Sequence, residues 1–338
     1  MYWKKRPSEW PEPSWKRDAL VAQLKDFDPE PRAMEPLSPL EEEYCRFYGL
    51  DLEVDFPEVE HRLGAMMAGG YRIAVHYYRQ PRSDRGTVFV FHGYFDHAGL
   101  YAQLFAHLLD QGYNVLCYDL PGHGLSEGDR ASIRSFEDYQ RVLLAVLSKA
   151  RNSVPSPWFA VGQSTGGAIL IDYLLTNGFS HETATFRGVV LLAPLVRPTG
   201  WRSGRLLHSV VSPFAKTWRR VFSENSGDRA FLKFLREYDP LQPQMLALDW
   251  VGALKRWIRR IERITPIHYT VTVIQGEKDG TVDWRHNLRV IENKFARTRI
   301  HRLPEGHHHL VNESSPLLDK IFAIITDTFE SEAQRKAS

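Results

Sequence analysis

Strand-like and helical segments alternate along the sequence from residue 71 to residue 334. Most of the predicted strands are short apolar runs, which is typical of strands buried on both faces of a parallel sheet. They cover 71–78, 87–91, 114–120, 158–162, 188–196, 269–276 and 298–303. The helical spacing of apolar residues predicts helices over 100–112, 136–151, 167–178, 285–295 and 316–334. This alternation predicts the α/β class, with helices on both faces of a mostly parallel central sheet.

The alternation is interrupted between residues 197 and 265, and it is absent before residue 61. We therefore predict an N-terminal extension rich in Pro and Trp (1–60), an α/β core (61–196 and 266–338) and a helical cap insertion (197–265). The first 40 residues contain seven of the twenty prolines and three of the nine tryptophans. Because proline lacks an N–H, only a short helix over 15–26 is compatible with this stretch.

The composition excludes several other classes of protein. Apolar residues make up 43% and charged residues 25% of the chain, as in ordinary globular domains. The formal net charge is only +2, so no overall attraction to nucleic acid is expected. No apolar run approaches the ~20 residues that span a bilayer. Cys45 and Cys117 lack metal-type spacing and cannot form a disulfide framework. With no signal peptide visible, we expect a cytoplasmic location.

Residues 162–166 read Gly-Gln-Ser-Thr-Gly, which matches the pattern G-x-S-x-G between a predicted strand and a predicted helix. In that context the turn holds the serine in a strained backbone conformation, and small residues two positions away on each side make room for it. The helix that follows points its first N–H groups at the same place. The pattern predicts Ser164 as a nucleophile rather than as part of a plain strand–turn–helix connection.

A serine hydroxyl is a poor nucleophile without a base, and the base needs an acid to orient it. In folds that use G-x-S-x-G, the acid follows the serine along the chain and the histidine comes last. Asp279 lies just after the predicted strand 269–276 and is the predicted acid. We prefer it to Glu277 and to Asp283, which is expected to be a helix cap or a solvent-facing carboxylate.

The predicted base is one of three consecutive histidines, residues 307–309, that follow the predicted strand 298–303. The spacing from Gly306 points to His309 as the base, whereas the spacing from Glu313 points to His308. We favour His308. A histidine run can also bind a metal ion. No second cluster of ligands stands out in the sequence, so we expect neither a metal nor an organic cofactor.

Negative charge that develops on a substrate carbonyl needs two backbone N–H donors. One should come from the residue after the nucleophile, Thr165, and the other from Tyr94 in the loop that follows strand 87–91. Gly93 would let that backbone approach closely, since it has no Cβ. His92 and His97 flank this loop and are expected to hold it by hydrogen bonds rather than to take part in the reaction.

Several motifs resemble, in order, those of the monoacylglycerol lipases and bacterial lysophospholipases, within the serine aminopeptidase-like α/β-hydrolases. They are His92–Gly99 (H-G-x-x-E/D-H-x-G), Asp119–Gly128 (D-x-x-G-H-G-x-S-x-G), Gly162–Ala168, Gly276–Asp279 (G-x-x-D) and His308–Glu313 (H-x-x-x-x-E). The resemblance covers about residues 61–330, apart from the insertion. It implies the α/β-hydrolase fold, a triad of Ser164, Asp279 and His308, and oxyanion donors at Tyr94 and Thr165.

Three residues depart from that family's usual pattern. Gln163 stands before the serine where histidine is frequent, and Thr165 stands after it where methionine is frequent. Because the oxyanion donor at position 165 is a backbone N–H, the second change is compatible with catalysis. Tyr94 is bulky for its loop and is expected to narrow the acyl pocket.

The insertion 197–265 is strongly basic, with fourteen Lys and Arg residues against six Asp and Glu residues. Its last segment, 250–264, places Trp250, Leu254, Trp257 and other apolar residues on one helical face. Such a helix can lie on an anionic membrane, but we favour the alternative, in which it packs its apolar face on the core. A peripheral position at a membrane surface stays open, and we expect the cap to form an apolar acyl tunnel with a basic mouth.

The predicted function is hydrolysis of carboxylic esters through an acyl-enzyme. The expected substrates are lipid-like esters, either monoacylglycerols or lysophospholipids. An aminopeptidase-type amide hydrolase is the main alternative, although a peptidase needs carboxylates near its site to bind the substrate amine and the insertion is basic. A non-catalytic interaction module on the same fold is a third hypothesis. The serine and histidine that such a module would lose are both present.

Overall fold

A computed structural model of the chain describes residues 12–30 and 36–334, so part of the predicted N-terminal extension lies outside the described residues. Eight strands form the main sheet and two form a small ribbon. The strands are β1 (Glu60–Ala68), β2 (Tyr71–Arg79), β3 (Thr87–Phe91), β4 (Asn114–Tyr118), β5 (Trp158–Gln163), β6 (Gly188–Leu192), β7 (Thr217–Arg219), β8 (Met245–Ala247), β9 (Ile267–Gly276) and β10 (Phe295–Leu303).

The main sheet has the order β1-β2-β4-β3-β5-β6-β9-β10. All pairs from β4 to β10 are parallel, while β1 and β2 add an antiparallel edge. Helices accompany the strands along the chain. They are α1 (Arg17–Gln23), α2 (Pro39–Tyr48), α3 (Ala102–Asp110), α4 (Phe136–Ala150), α5 (Thr165–Asn177), α6 (Trp201–Val211), α7 (Arg229–Glu237), α8 (Leu248–Ile261), α9 (Trp284–Lys294) and α10 (Leu317–Gln334).

The central strands are apolar because each of their faces packs on a separate core. In β3, Phe89 and Phe91 belong to one hydrophobic cluster, while Val88 and Val90 belong to the other. Successive side chains of a strand point to opposite faces, so the two clusters lie on the two sides of the sheet. Helices α4, α5, α8 and α9 contribute to the first cluster, and α2, α3, α7 and α10 to the second. The predicted mostly parallel sheet with helices on both faces is confirmed.

The segment predicted as a cap contains α6, α7 and α8. It also contains the antiparallel ribbon of β7 and β8, which was not predicted. In α8 the apolar side chains Trp250, Leu254, Trp257, Ile258 and Ile261 are all buried. They belong to the same cluster as α4 and α5. The favoured packing of this helix is therefore right, and the alternative in which its apolar face meets a membrane is wrong.

The N-terminal extension contains more regular structure than its prolines suggested. Helix α1 is shorter than the predicted 15–26, and α2 was not predicted. A capping box joins Ser38 to Glu41 at the start of α2, and Gly49 ends the helix in the left-handed conformation. Among the described residues, no helix is long and apolar enough to cross a membrane.

Candidate active site

Ser164 occupies the sharp turn between β5 and α5, with φ of 52° and ψ of −109°. A left-handed φ is strained for a residue with a side chain, and it is typical of functional turns. Gly162 and Gly166 are required by close packing, since a Cβ on Gly166 would lie 2.1 Å from the carbonyl oxygen of Phe91. The backbone N–H of Ser164 is fixed by a bond of 2.8 Å to Leu192 O.

Asp279 and His308 meet at the ends of two neighbouring parallel strands, β9 and β10. His308 Nδ1 lies 2.8 Å from Asp279 Oδ2, and both residues are buried. The other carboxylate oxygen of Asp279 accepts the backbone N–H groups of Thr281 and Val282, at 2.8 and 3.1 Å. The carboxylate is therefore held in one orientation, with one oxygen directed at the imidazole.

Burial and pairing act against each other on the pKa values of these two groups. Burial alone would lower the pKa of His308, but the charge and hydrogen bond of Asp279 raise it above its usual value. Burial alone would raise the pKa of Asp279. The interactions with His308 and with the two backbone N–H groups outweigh burial, so the pKa of Asp279 falls below its usual value. The pair consequently favours an ionised carboxylate beside an unusually basic imidazole.

Gln163, which stands where the family usually has histidine, has a role that was not predicted from the sequence. Its Nε2 donates to the carbonyl oxygen of His308 at 2.8 Å, and its Oε1 accepts the N–H of Leu310 at 3.2 Å. The side chain is buried. Gln163, the residue before Ser164, therefore holds the loop that carries His308. The hydroxyl of Ser164 itself makes no hydrogen bond to a residue in the described ranges.

The two neighbouring histidines have other partners. His309 Nε2 lies 3.1 Å from Asp96 Oδ2, and His307 Nδ1 lies 3.0 Å from Glu313 Oε1. Within the residues that the structure describes, only His308 of the three histidines is hydrogen-bonded to the predicted acid, Asp279. Asp283 N-caps α9 by accepting the N–H of His286, as predicted for a capping carboxylate.

The early loop, residues 92–99, lies against the turn of Ser164. An ideal Cβ on Gly93 would lie 2.7 Å from Asp96 Oδ2 and 3.5 Å from the Cβ of Ser164, so only glycine fits here. Asp96 accepts bonds from Gly93 N–H at 3.1 Å and from the Tyr101 hydroxyl at 2.8 Å. Burial opposes ionisation of Asp96, yet His309, His92 and the Tyr101 hydroxyl keep its pKa well below its usual range.

The histidines of the early loop form hydrogen bonds to the surrounding structure, as predicted. His92 Nε2 accepts the N–H of Leu120 at 2.8 Å. His97 Nε2 lies 3.1 Å from Asp239 Oδ2, a residue of the insertion. Both rings are fully buried. The backbone N–H groups of Tyr94 and Thr165 donate to no acceptor in the described part of the chain.

The insertion reaches the early loop through an aromatic stack. The ring of Tyr94 lies 3.8 Å from that of Trp250, with an angle of 18° between the planes. The Tyr94 hydroxyl donates to Ala131 O at 2.7 Å. Trp250 also lines a cavity of about 250 Å³ whose walls are mostly apolar. Besides Trp250, its lining includes Trp201, Leu207, Trp218 and Leu254.

These groups form a set suited to acyl transfer: a serine at a strained turn, a buried acid–imidazole pair and two N–H groups at adjoining strand ends. Such a site on a mostly parallel sheet defines a serine hydrolase of the α/β-hydrolase fold. The family model described as serine aminopeptidase, S33, matches residues 82–315, and the chain belongs to that family. In the residues that the structure describes, no group of His, Cys, Asp or Glu could hold a metal ion.

Comparisons with known proteins agree with this assignment. The chain is 26% identical over 273 residues to the monoglyceride lipase of Mus musculus, a match that covers 78% of this chain and 87% of that one. It is 30% identical over 244 residues to phospholipase YtpA of Bacillus subtilis, covering 69% and 92%. The structure of a soluble variant of monoglyceride lipase from Saccharomyces cerevisiae has a TM-score of 0.65 at 15% identity, covering 80% and 96%. The predicted class, a serine ester hydrolase, is confirmed.

Proposed function

We propose that the protein hydrolyses lipid-like carboxylic esters with Ser164 as nucleophile, His308 as base and Asp279 as the orienting acid. One observation carries the proposal: the 2.8 Å pair of His308 and Asp279 is tethered through Gln163 to the strained turn of Ser164. The base is thus held by Gln163, the residue next to the nucleophile, although His308 and Ser164 lie 144 positions apart in the sequence.

The reaction follows from the protonation states of these groups. His308 Nε2 takes the proton of the Ser164 hydroxyl as Oγ bonds to the substrate carbonyl carbon. Collapse of the tetrahedral intermediate breaks the ester bond, and the alcohol leaves with the proton from His308. Water then attacks the acyl-enzyme with His308 as base again, which releases the carboxylic acid and restores Ser164. Asp279 stays ionised throughout and stabilises the imidazolium, in keeping with its lowered pKa.

The negative charge of each tetrahedral intermediate would lie on the N–H groups of Tyr94 and Thr165. The absence of other acceptors for these N–H groups in the described residues supports this role. Thr165 is also the first residue of helix α5, and the dipole of a helix favours a negative charge at its N-terminus. Removal of one such donor typically costs two to three orders of magnitude, roughly, in turnover.

The apolar cavity beside Trp250 supports a substrate with an apolar chain. Its lining is mostly hydrophobic, and Trp250 connects it to Tyr94 next to the nucleophile. The named relatives, a monoglyceride lipase and a phospholipase, favour the same substrate class. An amine-binding peptidase site is not favoured, because the buried carboxylates of Asp96 and Asp239 are already bonded to His309 and His97.

A peripheral contact with an anionic membrane is part of the proposal, but through α6 rather than α8. Large apolar side chains are exposed on α6 and the segment after it, and they are Leu206, Leu207, Val210, Phe214, Trp218 and Val221. Exposed basic residues lie among them, namely Arg202, Arg205, Lys216 and Arg219. We call this set the cap patch. Apolar side chains can enter the acyl region while the basic ones meet anionic headgroups, and Leu207 and Trp218 also line the cavity.

A substrate panel tests the proposal. Wild-type protein and Ser164→Ala are assayed with p-nitrophenyl butyrate, a monoacylglycerol, a lysophospholipid and an amino-acid amide. We expect ester hydrolysis by the wild type, loss of it in Ser164→Ala, and no comparable turnover of the amide. Faster hydrolysis of the amide than of every ester, or full ester activity in Ser164→Ala, would contradict the proposal.

A further inference from the structure

A buried carboxylate of the insertion, Asp239, joins three parts of the chain that are remote in sequence. Its Oδ1 accepts the hydroxyl of Tyr48 at 2.7 Å, and its Oδ2 lies 3.1 Å from His97 Nε2. Backbone and side-chain donors of its own segment complete its shell, at Leu241 N (3.0 Å) and Gln242 Nε2 (3.1 Å). Tyr48 belongs to α2, His97 to the early loop and Asp239 to the turn after α7.

The early loop is fitted closely to Tyr48. The rings of Tyr48 and His97 meet edge to face, with centroids 4.9 Å apart. A Cβ on Gly99 would lie 2.7 Å from Cγ of Tyr48, so the loop has room for Tyr48 only because glycine stands there. Tyr48, His97 and Gly99 therefore form one packed unit. Its members His97 and Gly99 lie three and five positions after the proposed oxyanion donor Tyr94.

Helix α2 also packs on the insertion through aromatic contacts. The ring of Phe234 in α7 lies 6.0 Å from that of Phe47 and 6.1 Å from that of Tyr48. Trp15, further towards the N-terminus, packs against Phe47 at 5.8 Å and against Tyr48 at 6.0 Å. The extension thus covers the inner side of α7 with rings and meets the Asp239 carboxylate with a hydroxyl.

Apolar packing alone would attach α2 to α7 at lower cost, because a buried carboxylate must be fully hydrogen-bonded to be tolerated. Buried ionic groups that survive this cost often fix one relative position of the elements they join. Asp239 connects the early loop, which holds Tyr94, to α7 of the insertion, and Tyr48 completes its bonds from the extension. Loss of Tyr48 or His97 as a partner removes one of the bonds that compensate the buried carboxylate and lets these elements shift.

We propose that the N-terminal extension positions the early loop and the insertion. Tyr48 and Asp239 are the positioning residues, and they act on Tyr94 through His97. The inference rests on the proposed function, in which the Tyr94 N–H stabilises the transition state. A positioning role in that donor should lower kcat and leave KM nearly unchanged for a short ester, because the donor acts mainly in the transition state.

The test compares Tyr48→Phe with Tyr44→Phe as a matched control. Tyr44 lies one turn earlier on α2, is also buried and packs on the same Trp15. Its hydroxyl lies 3.5 Å from His76 Nε2 and makes no hydrogen bond to Asp239 in the described residues. With p-nitrophenyl butyrate we expect Tyr48→Phe to lower kcat by about tenfold, with KM changed by less than about twofold, and Tyr44→Phe to match the wild type. Equal kcat in all three proteins, or an equal loss in both variants, would overturn the inference.

A double-mutant cycle provides a second readout. Asp239→Asn should lower kcat further than Tyr48→Phe, and adding Tyr48→Phe to it should have little extra effect, because both changes break the same connection. Fully additive losses would overturn the inference.

Hydrogen exchange separates this inference from the proposed function. Tyr48→Phe should speed the exchange of amides in 93–99 and 229–242 together, and Tyr44→Phe should not. This arm needs no substrate, so it tests the connection even if the wild type hydrolyses no ester. Unchanged exchange in both segments would overturn the inference.

Discussion

The side-chain amide of Gln163 holds the backbone of His308. It donates to His308 O at 2.8 Å and accepts from Leu310 N at 3.2 Å. The residue next to the nucleophile is therefore bonded at two points to the loop that carries the proposed base. Both backbone groups are buried with it. A shift of the base relative to the serine therefore requires these two bonds to break.

Gln163→Met, which keeps the length of the side chain but removes both bonds, tests this tether. We expect kcat to fall by about ten- to a hundredfold, because misplacement of a reacting group by a fraction of an ångström is costly. The free energy of unfolding should fall by about 1–3 kcal/mol, since two buried backbone groups lose their partners. Gln140→Met is the control, as its Nε2 also donates to a backbone oxygen, that of Ile169, away from the site. Equal kcat in the two variants would contradict a role for Gln163 in positioning His308.

Asp279→Asn should lower kcat by about four orders of magnitude, because the amide cannot hold the reactive tautomer of His308 or stabilise its charged form. It should also move the pH profile. Asp279 raises the pKa of His308, and only neutral His308 can accept the serine proton, so wild-type activity should rise with pH through a pKa above about 6.5. Without the carboxylate, burial lowers that pKa, and the residual activity should rise at a lower pH. An acid limb at the same pH in both proteins would show that another group controls it.

Filling the apolar cavity beside Trp250 should change the selectivity of the protein for the length of the substrate's acyl chain. Gly204 lines the cavity, and a Cβ there would meet no atom within 4 Å, so a larger side chain can enter it without a clash. Gly204→Leu should lower kcat/KM for p-nitrophenyl dodecanoate by about tenfold more than for p-nitrophenyl butyrate. Gly204→Ala stabilises the helix similarly but leaves the cavity open, and it should keep the wild-type ratio. An unchanged ratio in Gly204→Leu would show that the cavity does not hold the acyl chain.

The cap patch should carry the contact with anionic membranes. Replacing Leu206 and Val210, each 66% exposed, by Asp should weaken binding to phosphatidylglycerol vesicles by at least about tenfold in a sedimentation assay. Leu144→Asp is the control, since this leucine is 50% exposed but lies on α4. Charge reversal of Arg202 and Arg205 should weaken binding to anionic vesicles and not to neutral ones. Equal loss in Leu144→Asp would refer the effect to net charge rather than to the patch.

The strands of the core could be predicted because burial on both faces leaves a plain apolar run, as in β3 and β5. The edge strand β1 escaped prediction, since its alternating burial and Gly64 gave a weaker pattern. Helix α2 could have been found from Ser38, Glu41 and Gly49, which are a capping box and a helix-ending glycine. The ribbon of β7 and β8 has three-residue strands, too short for any periodicity to show.

The predicted acid and base follow strand ends that the sequence places at one edge of the sheet, and the structure pairs His308 with Asp279 there. The contacts that surround them could not be predicted in the same way. Gln163 and His308 are 145 residues apart, and His97 and Asp239 are 142 apart. Such pairs depend on how the insertion and the last loops fold back over the sheet, which no local pattern records.

The central claim is that the Ser164 hydroxyl becomes acylated with His308 as its base, and labelling by a fluorophosphonate tests it most directly. Peptide mapping of the labelled protein should find the phosphonyl group on Ser164 of the wild type. It should find none in Ser164→Ala and a label as in the wild type in Ser203→Ala, an exposed serine of α6. His308→Ala should react far more slowly. Labelling that persists in Ser164→Ala, or a His308→Ala protein that reacts as fast as the wild type, would contradict the account.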